Sequence, residues 1–196
     1  MKTRAICLTS GGLDSVLAAR LLIDQGIAVT GVNFVSPFFN CSDQQGRHVP
    51  AMYARETGIS LVVKAMGRDY IEMLRNPLHG RGRYMNACVD CHIYMLRRAA
   101  EVMQSLGADF VATGEVLGQR PLSQHRQALE LIARRSGLGK RLVRPLSARL
   151  LEPSEPETRG LIDRQHLLAI EGRARREQLD LARHLGASGF EFGSVQ

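Results

Sequence analysis

The sequence predicts an α/β fold in which a parallel five-stranded sheet is doubly wound, with helices on both faces, and carries a small C-terminal helical appendage. Three observations predict it. Short apolar runs alternate with stretches of helical periodicity through the first 150 residues, and parallel neighbours need crossovers, usually helical. The polar and glycine-rich motifs follow the ends of the apolar runs, where ligands sit in such sheets. A chain of 196 residues has room for one domain with a sizeable core.

Taken in order, Ala5 to Thr9 reads as a buried strand that ends in Ser10-Gly11-Gly12-Leu13-Asp14-Ser15. Val16, Leu17, Ala18, Leu21 and Leu22 then recur at helical spacing, and Gly26 closes that helix. Ala28 to Phe34 gives a second strand, with Val29, Val32 and Val35 favouring extended backbone, before a loop from Ser36 to Gly46. Val49 to Glu56 is helical, Gly58 stops it, and Leu61-Val62-Val63 makes the third strand. Pro77, Gly80 and Gly82, together with Arg81 and Arg83, make Asn76 to Asn86 a basic loop. From Ile93 to Leu106 the residues Ile93, Leu96, Ala99, Ala100 and Met103 share one helical face, and Phe110-Val111-Ala112 is the fourth strand. Gln124 to Arg135 is a further helix, and Leu142-Val143 a short fifth strand stopped by Pro145. After Pro153 and Pro156, two helices, Ile162 to Ile170 and Arg175 to Leu185, form the appendage; Ala187 to Gln196 shows no periodicity. The fold is thus Rossmann-like, with residues 1–150 as the ligand-binding domain and 151–196 as appendage and tail.

The composition, 44% hydrophobic and 23% charged, excludes a disordered, collagenous or disulfide-stapled chain. The net charge of +7 is carried mostly by arginine, which suits phosphate geometry and fits a polyanionic partner as well as a merely solvated surface. No apolar run approaches the roughly 20 residues that cross a bilayer, and Met1 to Thr9 lacks the shape of a signal peptide, so a cytoplasmic protein without a membrane partner is expected. Its four cysteines, Cys7, Cys41, Cys88 and Cys91, suit a reducing compartment.

Ser10-Gly11-Gly12-Leu13-Asp14-Ser15 puts two residues without Cβ where backbone amides must approach an anion at a helix N-terminus. A carboxylate beside phosphates is repulsive unless a divalent cation lies between them, which assigns Asp14 to Mg²⁺. The plainer alternative is a capped helix after an ordinary glycine turn. The loop has no Gly-Lys-Ser/Thr ending and no G-x-G-x-x-G pattern, which weakens kinase, GTPase and dehydrogenase readings. Cys88-Val89-Asp90-Cys91-His92 leads into a helix, where a thiolate is favoured and becomes a better nucleophile or metal ligand, with help from Arg81, Arg83 and His92. A structural Zn²⁺ would need two further ligands, from Cys41, His48 or His92. Three thiolates, Cys41, Cys88 and Cys91, would instead suit an iron-sulfur cluster with one open iron. Cys7, mid-strand in an apolar run, reads as core.

Ser-Gly-Gly-x-Asp-Ser resembles the PP-loop of the ATP pyrophosphatase superfamily, which implies splitting of ATP into AMP and pyrophosphate with adenylation of an acceptor. Thr113-Gly114-Glu115-Val116-Leu117-Gly118-Gln119, with Ser123-Gln124, resembles a segment of tRNA 4-thiouridine synthases, and the likeness spans roughly Ile6 to Leu146. Asn86-x-Cys88-x-x-Cys91 resembles the paired-cysteine segment of tRNA 2-thiolation enzymes, some of which hold an iron-sulfur cluster through three cysteines. The resemblance implies an ATP-dependent sulfurtransferase that adenylates a tRNA uridine and replaces its carbonyl oxygen with sulfur. Ser10, Gly11, Gly12 and Ser15 would hold pyrophosphate and Asp14 its Mg²⁺, with Asn33 among the cofactor-binding residues. Thr113, Gly114 and Glu115 would line the nucleotide or activated-base pocket, and Gln119, Arg120 and Arg144 would meet phosphate or substrate. Arg144 could equally pair with a surface carboxylate. Cys88 and Cys91 would carry sulfur as a persulfide or through a cluster, so the catalytic set is Cys88, Cys91 and Asp14.

The implied partners are tRNA and a sulfur donor, either a cysteine desulfurase persulfide or sulfide, and a homodimer is left open. The loop Arg81 to Arg83 and the cluster Arg173, Arg175 and Arg176 are candidates for RNA phosphates, the cluster equally for a solvated helix face. Because the first strand begins at Ala5, no RNA-binding region is expected ahead of it. No cysteine follows Cys91, so either Cys41 substitutes for a later one or the sequence stops at Gln196 ahead of that segment. Two further readings stand beside this one: adenylation of a small-molecule acceptor, which would not need the cysteines, and a non-catalytic nucleotide- or metal-binding module.

Overall fold

The computed structural model describes residues 2–36, 41–43, 45–81 and 87–185. Strand β1 (Arg4–Leu8) lies at the centre of the sheet and is buried on both faces, since Ala5 and Cys7 join one hydrophobic cluster and Ile6 the other. This is the period-2 alternation of a strand covered by helices on both sides. β2 (Ala28–Val35), β3 (Ser60–Ala65), β4 (Phe110–Ala112) and β5 (Leu142–Val143) complete a parallel sheet of order β3-β2-β1-β4-β5. The chain builds outward from β1 through β2 to β3, then returns to place β4 on the other side of β1. The order therefore reverses between β1 and β4, and the crevice outside their carboxyl ends is where such sheets bind ligands.

Helix α1 (Leu13–Asp24) and α2 (Val49–Thr57) cover one face, where Val16, Ala19, Leu22 and Tyr53 pack on Ala5, Cys7, Phe110 and Val143. On the other face, α4 (Cys88–Ser105) and α5 (Arg126–Arg135) set Ile93, Leu96, Ala99, Met103 and Ile132 against Ile6, Val32 and Val111. The short helix α3 (Arg68–Arg75) docks on α4 through Asp69, whose two carboxylate oxygens each accept from the Tyr94 hydroxyl at 3.0 Å and which pairs with Arg98.

Two sequence expectations change here. The paired-cysteine segment does not precede the helix but opens it: α4 starts at Cys88, five residues before Ile93, with Ala87 as its N-cap. And Ile162 to Ile170 is not an α-helix. A capping box at Ser154 and Glu157 starts a single turn, α6 (Glu155–Thr158), which ends before Gly160, whose φ is 69°. The chain then runs alongside residues 145–147, with Leu168 N–H donating to Pro145 O and Ile170 N–H to Leu146 O, interrupted by a 3₁₀ turn at Arg164–His166. Its apolar residues are buried all the same, because Ile162 and Leu167 join the cluster around β1. Helix α7 (Arg176–His184) forms as expected and packs on α1, with Ala182 against the cluster of Leu13, Leu17 and Ala18. Gly82, Arg83 and Asn86 of the basic loop, and the tail from Ala187, lie outside the described residues. No helix among the described residues is long and apolar enough to cross a membrane.

Candidate active site at the strand switch

Ser10, Gly11 and Gly12 join β1 to α1. Gly11 has φ 80°, and a Cβ there would lie 2.9 Å from Val49 Cβ and Cγ1 and 3.1 Å from Pro50 Cδ. Both the backbone conformation and the space therefore demand glycine. Gly12 is the N-cap of α1, and no side chain among the described residues caps the helix. The orphan amides of its first turn are thus available to an anion. Ser15 Oγ donates to Gly12 O at 2.8 Å and Ser10 Oγ accepts from Gly12 N–H at 3.3 Å, which fixes the turn from within.

The loop after β4 comes down on this turn. A Cβ on Gly114 would stand 2.5 Å from Asp14 C and 2.6 Å from both Asp14 O and Ser15 N, all backbone atoms. Gln119, from the same loop, donates from Nε2 to Asp14 Oδ2 at 2.9 Å, and Arg175 at the start of α7 places Nη2 3.6 Å from that oxygen. Asp14 Oδ1 and Gln119 Oε1 are enclosed and have no hydrogen-bond partner among the described residues.

Glu115 ties the second half of the site together. It is buried, and its Oε2 accepts from Arg144 Nε at 2.8 Å and from Thr113 Oγ1 at 3.0 Å, while Oε1 accepts from His92 Nδ1 at 2.7 Å. Burial alone would raise its pKa, but the Arg144 charge and the His92 contact outweigh that and hold the carboxyl well below the usual carboxylate range. Arg144 also donates to Leu129 O of α5 and is itself buried, so it pairs with an interior carboxylate and not a surface one. Glu115 is committed to three protein partners. It sets the walls of the crevice more than it faces the crevice.

His92 is the link to the thiols, because it belongs to the first turns of α4 with Cys88 and Cys91. Asp90 accepts from His79 N–H at 2.9 Å and Nδ1–H at 2.8 Å, which binds the preceding loop to the helix start. Cys91 Sγ lies 3.5 Å from the Tyr70 hydroxyl of α3. Burial pushes the Cys91 thiol up, against the lowering contact from Tyr70, so this member of the pair is not the activated thiolate that the helix N-terminus suggested. Cys88, the first residue of α4, is partly exposed. Arg81, expected beside the thiols, donates to Leu74 O at 3.2 Å and to Arg75 O.

Asn33 is buried at the end of β2, donating to Thr9 O at 2.7 Å and accepting from His48 Nε2 at 2.9 Å; Cys41 Sγ is 3.6 Å from its Nδ2. Cys41 is thus held in the loop beside His48, while Cys91 turns toward α3. Among the described residues no three His, Cys, Asp or Glu side chains are gathered to hold a metal, so the expected Cys41, Cys88 and Cys91 set is not assembled. Cys7 is buried core, its thiol pushed up to about 12 by desolvation. An open depression of about 1000 Å³, lined by Arg149, Glu157, Ile162 and Arg164 among others, includes none of these residues.

A family model described as thiamine biosynthesis protein (ThiI) matches residues 1–148. The chain belongs to that family. The ThiI-family match covers both crevice loops and the thiol helix but stops short of α7 and Arg175. Among similar proteins, a tRNA-specific 2-thiouridylase MnmA of Syntrophotalea carbinolica is 31% identical over 113 residues, 54% of this chain and 32% of that one. A probable tRNA sulfurtransferase of Methanosarcina acetivorans is 33% identical over 128 residues, 58% of this chain and 28% of that one. The chain spans about a third of the length of these relatives. A crystal structure of a 4-thiouridine synthetase–RNA complex with bound ATP aligns over 74% of this chain and 37% of its own, with TM-score 0.55 and 25% identity. The PP-loop thiolation resemblance and the doubly wound parallel fold read from sequence are both borne out.

Proposed function

We propose that this chain is an ATP-dependent sulfurtransferase unit that adenylates a tRNA uridine and replaces the activated oxygen with sulfur. The observation that carries the reading is the double attachment of the β4 loop: Gly114 lies against the first turn of α1, and Glu115, through His92, holds the thiol-bearing end of α4. In this reading the phosphate-loop and thiol residues border one crevice. The family membership, and the names of the relatives as tRNA thiolation enzymes, support the acceptor.

In this reading ATP lies with its phosphates on the amides of Gly11 and the start of α1, and on that of Gly12 once it leaves Ser10 Oγ. Asp14 fits a Mg²⁺, since its enclosed Oδ1 has no donor among the described residues, and a hard cation there would offset the charge of departing pyrophosphate. Arg175 stands beside the same carboxylate and turns to the phosphates when nucleotide binds. This places at the phosphates a member of the arginine cluster that the sequence offered to RNA. A uridine carbonyl oxygen is a poor leaving group, and adenylation makes it part of AMP. The terminal sulfur of a persulfide on Cys88 then attacks the activated carbon: the C–S bond forms, the C–O bond breaks, and AMP leaves with the electron pair. The thiol of Cys91, three residues along the same helix, then attacks the Cys88 sulfur: the uridine-bound sulfur leaves as the thiolated product and a Cys88–Cys91 disulfide remains, which an external thiol reduces before the next turnover. No step in this reading passes through an iron-sulfur cluster or zinc, because the described residues gather no three His, Cys, Asp or Glu side chains to hold one.

Isotope exchange between pyrophosphate and ATP in the presence of tRNA tests the assignment. Cys88→Ala and Cys91→Ala should keep tRNA-dependent exchange and lose sulfur incorporation. Full sulfur incorporation without either thiol, or exchange that ignores tRNA and follows a small acceptor, would overturn it. Arg175→Ala should leave the melting temperature near wild type, because an exposed pair contributes little. It should also weaken ATP binding by about tenfold or more through the lost charged contact; unchanged affinity in a nucleotide titration would remove Arg175 from the phosphate site.

A further inference from the structure

Gln119 sits where the crevice meets the phosphate loop, and its amide has only one sensible orientation. Turning the NH₂ toward Asp14 Oδ2 makes the 2.9 Å hydrogen bond; turning the oxygen there would set two acceptors against each other. The donor is thus used and Oε1 is left over, enclosed and with no partner among the described residues. Asp14 shows the same asymmetry. Its Oδ2 serves Gln119 and Arg175, and its Oδ1 is the enclosed orphan. Two neighbouring side chains therefore each spend one polar atom on a shared hydrogen bond and keep one bare oxygen. An enclosed acceptor without a donor is costly, and two such oxygens on hydrogen-bonded neighbours offer hard oxygen ligands, the chemistry that Mg²⁺ and Mn²⁺ select.

We propose that Gln119, through Oε1, is a second protein ligand to the divalent cation held by Asp14 Oδ1, with nucleotide phosphates completing the shell. The inference rests on the nucleotide reading above and goes beyond it, since it makes Gln119 a cation ligand instead of a contact to phosphate or substrate. One carboxylate and one amide oxygen, with phosphates and water, suit a Mg²⁺ that is bound together with its nucleotide and not by a protein cage. The Gln119 hydrogen bond to Oδ2 also fixes the carboxylate so that Oδ1 meets the cation, the kind of support whose loss weakens metal binding by about 10- to 100-fold.

The test is Mn²⁺ titration followed by electron paramagnetic resonance on the whole chain with a non-hydrolysable ATP analogue, with affinity for the analogue measured separately without metal. Gln119→Leu should weaken Mn²⁺ binding by about 10- to 100-fold, and Asp14→Asn by at least as much. Gln119→Glu decides between a ligand and a mere orienter. It loses the amide donor but keeps an oxygen at the same place, so a ligand role expects Mn²⁺ affinity clearly above that of Gln119→Leu. An orienting role alone expects a loss like that of Leu. Equal Mn²⁺ affinity in wild type and Gln119→Leu, or a Glu variant as weak as Leu, overturns the proposal. Failure of the wild type to bind the analogue at all would instead strike the nucleotide reading.

Discussion

Gly114→Ala is expected to slow ATP-dependent adenylation by about 100-fold, the cost of misplacing reacting groups by around an ångström. The added methyl would meet the backbone of Asp14 and Ser15 at 2.5–2.6 Å, and backbone in the first turn of a helix cannot step aside as a flexible side chain can. Either α1 shifts along the sheet or the β4 loop lifts away, and both separate Asp14 from Gln119. Overpacking of this kind costs about 1–3 kcal/mol, so the variant should remain folded and its defect should be visible in pyrophosphate exchange. Gly12→Ala makes the contrast in stability. Its nearest contact would be Ser10 Oγ at 3.3 Å, and its φ of −77° suits alanine, so its melting temperature should stay close to wild type. A Gly114→Ala protein with wild-type exchange would show that the two loops do not depend on each other.

Glu115→Ala is the second large effect, and it falls on stability. Removing the carboxylate leaves Arg144 charged and buried with the Leu129 carbonyl as the one partner of its side chain among the described residues, a situation that costs about 3–5 kcal/mol. Replacing both partners, as in Glu115→Ala with Arg144→Met, should recover part of that loss, because the uncompensated charge goes with them. The pH dependence has a definite sign. The folded carboxyl is held below its unfolded value of about 4.3, so its stabilisation is fully present above that pH and drains away as the solution is acidified toward the folded pKa. The stability gap between wild type and Glu115→Gln in urea titrations should therefore be wide at pH 6 and narrow below about pH 4.3. A gap that widens on acidification would mean that Glu115 is not ionised in the fold.

Most of the sheet was legible because its strands are apolar runs bounded by glycine or proline: Phe110–Ala112 and Leu142–Val143 fall where their residues predict. The close approach of the two crevice loops was legible only as a consequence of strand order. What sequence did not reveal has identifiable causes. Helix α3 is only eight residues long and buries a single residue, Tyr70, so it is passed over between the third strand and the basic loop, and with it went the contact to Cys91. Ile162, Leu167 and Ile170 are buried by running along residues 145–147, whereas the shift to polar helix formers after Pro153 and Pro156 predicts a helix there. Charge pattern offered Arg175 to RNA, yet the packing of α7 on α1 carries it to Asp14. Cys41 shares an edge of the sheet with the phosphate loop, but sharing an edge did not bring its sulfur to the other two.

The account stands on the phosphate loop and the α4 thiols sharing one crevice. An adenosine nucleotide carrying a bromoacetyl group in place of its terminal phosphates, mapped by mass spectrometry after labelling, tests this most directly. The expected result is alkylation of Cys88 or Cys91 that excess ATP prevents and that Asp14→Asn or Gly114→Ala reduces. Saturable nucleotide binding with neither cysteine labelled, or labelling that ATP leaves untouched, would contradict it.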